Sequence, residues 1–220
     1  MNRTAYINKL IAEPVSGLDI EKMSFAVIDR ETMHSYPEDQ WEIVRRMIHA
    51  TGDIGLSNEV YVSKDAVRSG VRALWEGRPI YTDSNMIRAG LSMARLRQAN
   101  AAYSHEQVHC HVADADVAEA AAAAGLPRSL FAVRKAASVF QGGIALFGNA
   151  PVGLLELNRM ILEDGVRPAL VMAMPVGFVH VIESKEEFLS LGIPYVAVLG
   201  RRGGSALAVS ALHALCTLAR

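Results

Sequence analysis

The segment Gly200-Arg-Arg-Gly-Gly-Ser205 sets two guanidinium groups beside glycine backbone and a hydroxyl, a combination suited to holding a carboxylate or a phosphate. Glycine lets a ligand approach the main chain closely, and the free N–H groups of a helix start attract anions. Three other segments share parts of this chemistry: Asp83-Ser-Asn-Met86, Gly148-Asn-Ala-Pro151 and Met174-Pro-Val-Gly-Phe178. Basic residues also gather in stretches without acids. Windows 84–105, 120–155 and 188–220 hold nine Arg or Lys and no Asp or Glu, so a net charge of −1 leaves −10 on the remainder. The expected ligand is a small anion.

For acid/base work the candidate is His49. Trp41, Val44, Met47 and Ile48 recur at helical spacing, and His49 sits in the last turn, off that stripe and near the face that holds Arg45. A helix C-terminus favours a protonated imidazole, which keeps a proton on hand at neutral pH. Capping of the last carbonyls is the alternative role. His109-Cys110-His111 places two imidazoles at i and i+2 on one strand face, but no third ligand has suitable spacing, so no metal site is expected. The chain has no G-x-G-x-x-G, no G-x-x-x-x-G-K-[ST] and no G-x-S-x-G, which removes the dinucleotide fingerprint, the phosphate loop and the serine-hydrolase elbow.

These segments must be positioned by a regular scaffold, and the apolar pattern supplies one. β-rich runs at 59–63, 79–82, 107–112, 144–147, 169–173 and 195–199 alternate with helical windows, one of which runs from Ser63 as N-cap to Gly77 as the residue past its end. That alternation predicts an α/β, doubly wound, mostly parallel sheet with helices on both faces. In such sheets ligands bind at the carboxyl ends of the strands, where the four anion-suited segments fall. The first 55 residues differ, reading as two helices before any strand. A capping box at Ser35-Tyr-Pro-Glu38 is expected to open the helix of His49, and Gly52 to stop it. The division is therefore one domain over 1–220, with an N-terminal helical segment at 1–55 and a parallel α/β core at 56–220.

Composition narrows the class further. Balanced charge with 22 basic and 23 acidic residues argues against a nucleic-acid surface, and 51% hydrophobic content argues against disorder. The longest apolar stretch, 169–182, is too short for a membrane span and contains Pro175 and His180. The start of the chain lacks the apolar core of a secretion signal, and two cysteines make no disulfide framework, so a cytoplasmic protein is expected.

Seven blocks in order closely resemble the precorrin-8X (cobalt-precorrin-8) methylmutases of cobalamin biosynthesis. They are Ser24-Phe25, Arg46-Met-Ile-His49-Ala-Thr-Gly-Asp53, Ile80-Tyr-Thr-Asp83, Gly148-Asn-Ala-Pro151, Pro175-Val-Gly-Phe178, Glu183-Ser-Lys185 and Gly200-Arg-Arg-Gly-Gly-Ser205. The resemblance implies a flavodoxin-like fold, a homodimer and an isomerase. It implies a methyl shift from C-11 to C-12 of a corrin-type polycarboxylate, giving hydrogenobyrinate or cobyrinate, with no added cofactor and cobalt present only if the substrate carries it. It places the catalytic histidine at His49 and substrate contacts at Ser24 and Arg46. Asp83, Arg128, Ser129, Asn149, Gly177, Lys185, Arg201, Gly203, Gly204 and Ser205 join them as expected binding residues on motif position and chemistry. Product handover to the next enzyme of the pathway is expected as well.

The chain departs from the family's pattern at Val152, at His180-Val-Ile182 and at Pro127, where Thr, small residues and Thr are common. These changes bear on local pocket contacts and leave His49 untouched. Two rival readings are a non-catalytic corrinoid carrier on the same scaffold and a flavodoxin-like nucleotide-binding enzyme.

Overall fold

The computed structural model describes residues 5–220; residues 1–4 of the N-terminal segment lie outside the described residues. Three helices, rather than the two expected, precede the first strand: α1 (Ile7–Ala12), α2 (Gly17–Glu31) and α3 (Glu38–Thr51). The extra break falls at Pro14, and Ser16 restarts the helix by accepting the Asp19 N–H at 3.1 Å. No capping box forms ahead of α3. Pro37 itself occupies the cap position in extended geometry, which leaves Ser35 too far upstream to reach the first turn. Glu38 and Asp39 supply the negative charge that the helix start favours. Gly52, in left-handed conformation, ends α3 as the sequence predicts.

Then follow β1 (Val60–Val62), α4 (Ala66–Trp75), β2 (Ile80–Thr82), α5 (Asn85–Gly90), α6 (Met93–Ala99), β3 (Val108–His109), α7 (Ala115–Ala124), α8 (Arg128–Lys135) and α9 (Ala137–Phe140). The chain closes with β4 (Ile144–Phe147), α10 (Pro151–Glu163), β5 (Leu170–Ala173), α11 (Val181–Leu189), β6 (Tyr195–Val198) and α12 (Ser205–Leu218). All six expected strands form, in the order β1-β6-β5-β4-β2-β3. β2 to β6 are parallel and β1 pairs antiparallel with β6 at the edge. Ser63 does not cap α4, because its hydroxyl accepts the Tyr195 N–H at 2.8 Å and its own N–H donates to the Tyr195 carbonyl, prolonging the β1–β6 pairing. Gly77 does lie just past α4.

Counted within the parallel strands alone, the order is that of a flavodoxin-like sheet, and the chain reverses direction between β2 and β4. Strand residues alternate cleanly between two cores. Ile80, Ile144, Leu146, Leu170, Met172, Val196 and Val198 face α3, α4, α5, α6 and α12. Tyr81, Ala145, Phe147, Val171, Ala173 and Ala197 face α8 to α11. Period-two alternation in strands buried on both faces is what a parallel sheet between helical layers requires.

Helix α12 is buried along most of its length and packs against α3, α4, α5, α6 and the sheet. It carries no Asp, Glu, Lys or Arg. An all-round apolar helix of this kind belongs inside a fold. Leu146 of β4 lies in the same core with 0% exposure. Its replacement by Ala is expected to cost ~2–5 kcal/mol, by lost burial plus the cavity left behind. Equilibrium urea unfolding with an unchanged slope is the measurement that checks this.

Candidate active site

His49 and Arg46 of α3 and Ser205 of α12 come together from two distant parts of the sequence to line one cavity of about 450 Å³. Its walls are α3 (Arg46, His49, Ala50), α5 (Met86, Gly90), the less buried face of α12 (Ser205, Ala206, Val209, Ser210, His213) and Glu21 of α2. His49 is exposed to this space, and the Phe25 ring meets its imidazole edge-on at 5.3 Å. The cavity partner of His49 is thus Arg46. Arg45, expected nearby, also rests against Phe25 but turns to Asp29 at 2.9 Å. Arg46 donates to Glu21 at 2.7 Å. Burial works to raise the Glu21 carboxyl, but the hydrogen bond and charge of Arg46 outweigh it and hold the group below the ordinary glutamate range. A substrate carboxylate at Arg46 therefore competes with Glu21.

Glu21 and Arg46 also border a second cavity of about 450 Å³, lined further by Phe25, Ser92, Arg95 and Arg220. The two spaces join at that ion pair. A larger depression of about 810 Å³ lies elsewhere and is bordered by Asp29, Glu38, Asp39 and Glu42, whose carboxylates repel a polyanion.

Close backbone contacts build the rim. A side chain on Gly148 would stand 2.8 Å from the Ser205 backbone, and one on Gly203 only 2.1 Å from the Met174 carbonyl. Glycine at these positions lets the loops after β4, β5 and β6 interlock and fixes the start of α12. Lys185, 1% exposed, donates to the carbonyls of Gly200 at 3.0 Å and Arg202 at 2.7 Å. Burial lowers its ammonium to about 8, with Glu59 opposing. Lys185 thus pins the Gly200–Ser205 loop from inside.

Asp83 is equally internal. It is 2% exposed, and one carboxylate oxygen accepts the N–H groups of Gly148, Asn149 and Ala150 at 3.1, 2.7 and 2.8 Å. Burial pushes its carboxyl above the ordinary aspartate range despite the pull of those amides. The amides form an anion cradle at the start of α10, in the crevice between β2 and β4 where such sheets bind ligands. A carboxylate of the chain itself fills that cradle, which argues against a nucleotide phosphate there. Next to it, the hydroxyls of Ser84 and Ser205 are 3.1 Å apart and carry the polar contact to the cavity.

The remaining expected residues are more dispersed. Ser24 donates to the Ile20 carbonyl at 2.9 Å, one residue from Phe25. Asn149 is exposed beside the cradle, and the Gly177 N–H reaches the Arg201 carbonyl at 3.3 Å. The Arg201 guanidinium lies 5.5 Å over the ring of Phe178, which is 83% exposed. Arg128 is exposed and Ser129 buried at the start of α8, which packs on α10 across the sheet from His49. At 109–111 the strand ends at His109, and the His111 ring lies 6.1 Å from that of His109. His111 turns to Asp114 at 2.9 Å.

Sequence reasoning missed Glu21 and His213. His213 follows Ser205 and Val209 at intervals of four on the cavity face of α12, a spacing that was visible in the chain. Burial, with the fields of Arg95 and Arg46, lowers its imidazole to about 4.

Two outcomes follow from these environments. Asp83→Ala leaves three amides without their acceptor, which costs roughly 2–4 kcal/mol after allowing for the buried charge removed. Hydrogen exchange at 148–150 should accelerate, and unchanged protection there would remove Asp83 from this role. His213 titrates near 6.5 when unfolded and about 4 when folded, so the unfolded chain takes up the extra proton between those values. The stability contributed by the neutral ring is complete above pH 6.5 and is lost as pH falls toward 4. Melting temperatures at pH 7 and pH 4.5 should show the wild type losing more than His213→Asn.

With this geometry in view, similarity to known proteins is extensive. The precorrin-8X methylmutase family profile matches residues 19–218. The cobalt-precorrin-8 methylmutase of Leptospira interrogans is 40% identical over 211 residues, covering 92% of this chain and 94% of the relative. The precorrin-8X methylmutase of Pseudomonas aeruginosa is 37% identical over 204 residues, covering 91% and 95%. A crystal structure of the precorrin-8x methyl mutase of Thermus thermophilus matches with a TM-score of 0.84 at 40% identity, covering 92% of this chain and 96% of that one. By its sequence and by its fold, the chain belongs to the precorrin-8X methylmutase family, isomerases of cobalamin biosynthesis.

Proposed function

We propose that this protein moves a methyl group from C-11 to C-12 of precorrin-8X or its cobalt form, giving hydrogenobyrinate or cobyrinate, with His49 as general acid and base. The observation that carries this reading is the meeting of His49, Arg46 and Ser205 on one cavity. A methyl migration redistributes ring unsaturation, and a positioned imidazole that protonates a ring carbon and later recovers the proton assists both halves. General acid catalysis of this kind supplies 10²- to 10⁴-fold. No added cofactor takes part, and cobalt enters only within the substrate.

The ring's acetate and propionate groups need cationic or N–H partners along the rim. Arg88, Arg95, Arg128 and Arg201 have no ion-pair partner among the described residues, while Arg134, Lys135 and Arg202 are already paired to acids. The first four are among the basic residues available to a polycarboxylate, with Arg46 once Glu21 yields. Asp83 and Lys185 serve binding by holding the rim loops. Support for a homodimer comes from α1 and α2, where Ile7, Leu10, Ile11, Leu18, Ile20 and Met23 are exposed, more apolar surface than an isolated helix pair usually leaves to water. Substrate and product differ little in size and charge, so the product is retained and handed to the next enzyme.

Purified protein should convert precorrin-8X or its cobalt complex with a change in the visible spectrum. His49→Ala should lower turnover by 10²-fold or more while substrate still binds. An unchanged spectrum with both forms of the substrate overturns the reaction, and full activity of the variant overturns the role of His49.

A further inference from the structure

A second histidine shares the cavity with His49, and its hydrogen bonding fixes its chemistry. The backbone N–H of Ser92 donates to Nε2 of His213 at 2.9 Å. A nitrogen that accepts an N–H cannot carry a proton, so the neutral ring must hold its hydrogen on Nδ1. Ser92 caps α6, its hydroxyl accepting the Arg95 N–H at 3.4 Å, so the donor belongs to an ordered helix start. Protonating Nε2 would set two N–H groups against each other and break that contact.

Nδ1 has no hydrogen-bond partner among the described residues, yet it is not one of the buried unpaired polar atoms, so it keeps some contact with solvent, and the residue lines the cavity. The charged and titratable groups around it are Arg46 and His49 on α3, Arg95 on α6 and Glu21 on α2. Burial, and after it the two arginines, oppose a positive charge on the imidazole, which keeps the ring a neutral donor. Along α12 the distance from Ser205 to His213 is eight residues, about 12 Å at 1.5 Å per residue. The two polar side chains therefore mark opposite ends of a floor whose middle is Ala206 and Val209, on the scale of one macrocycle.

We infer that His213 is a specificity-determining residue of this cavity, its fixed Nδ1–H donating a hydrogen bond to a peripheral carboxylate of the bound corrinoid. This rests on the functional reading above and adds to it the far end of the substrate. Unlike the arginines, His213 can grip a carboxylate without bringing another charge near the group that exchanges a proton with the ring. Its partner on the substrate is set by direction as well as by sign, because the ring is held at Nε2.

Two measurements test the assignment on the full chain. Long-range proton–nitrogen NMR of the free protein should show His213 as the Nδ1–H tautomer from pH 5 to 8. An Nε2–H tautomer, or a titration near 6.5, overturns the inference whatever the enzyme does. Kinetics should show KM for the corrinoid rising about tenfold in His213→Ala, with kcat changed less than threefold, and His213→Asn, which keeps a donor, recovering most of the loss. A merely structural histidine would lower the folded fraction in both variants and leave KM alone, an outcome that overturns the inference. If the wild type neither binds nor converts either corrinoid, the functional reading fails and the assigned ligand with it. A wild type that does so with an unaltered KM in His213→Ala overturns the His213 assignment alone.

Discussion

Burial of α12 between the sheet and α3 is the packing constraint on which the other features of the site depend. The helix can sit there because its sequence, SALAVSALHALCTL, offers only apolar, small or neutral side chains to the surrounding layers. A charge at most of these positions would be stranded in the core at a cost of several kcal/mol. Alanines at 208, 211 and 214 allow close approach to neighbours, and Leu207, Leu212 and Leu215 fill the spaces between. With the helix fixed, α3 is seated against it, and His49 arrives at the cavity as a consequence. The start of α12 is set just as firmly by the contact of Ser205 with Gly148 and of Gly203 with Met174. Floor and rim are thus parts of one packed unit.

Electrostatics then divide the molecule's near-neutral balance into two uses. Several cations of the acid-free windows reach acids far away in sequence: Arg202 bridges Asp53 and Glu59, and Arg134 meets Glu156. The Arg202 pairs are solvent-exposed and add little stability but do cancel local field, whereas the Glu156 carboxylate is buried. What is left over is concentrated in a few arginines at loops and short helices. On the other side of the ledger, Asp83 occupies the best-formed anion cradle of the fold. The crevice that relatives by fold use for ligands is closed by the chain itself, and the open space lies beside α12 and α3 instead.

Much of this was legible in the sequence, and what was not has physical reasons. Strands at 144–147 and 195–198 declare themselves because residues buried on both sheet faces must be uniformly apolar. Gly52 announces the end of α3 because a left-handed residue is needed there. The antiparallel direction of β1 leaves no such mark, since local composition is the same either way. Asp83 and Lys185 were recognisable as site residues by motif, but whether a charged group faces a ligand or its own backbone depends on neighbours 65 residues away at Gly148, or 15 away at Gly200. The Glu21–Arg46 pair spans 25 residues and two helices, so no local pattern reveals it. His213 was the exception: it lay on a visible four-residue rhythm and was passed over because an apolar helix gave no reason to count its one imidazole.

The two cavity histidines occupy opposite physical situations. His49 stands at a helix end, exposed to the cavity, with only an aromatic edge against its ring. His213 is enclosed by a charge-free helix, committed at Nε2 and faced by two arginines, so it is held in one protonation state and one tautomer. Under the proposed reaction, exchanging these environments would defeat both proposed roles: a locked imidazole cannot deliver a proton, and one that changed protonation state would change its grip on the substrate during the step. On the proposed mechanism, a cavity that holds a polyanion still while moving a single proton needs this separation. Here it follows from placing one histidine at the end of α3 and the other inside α12.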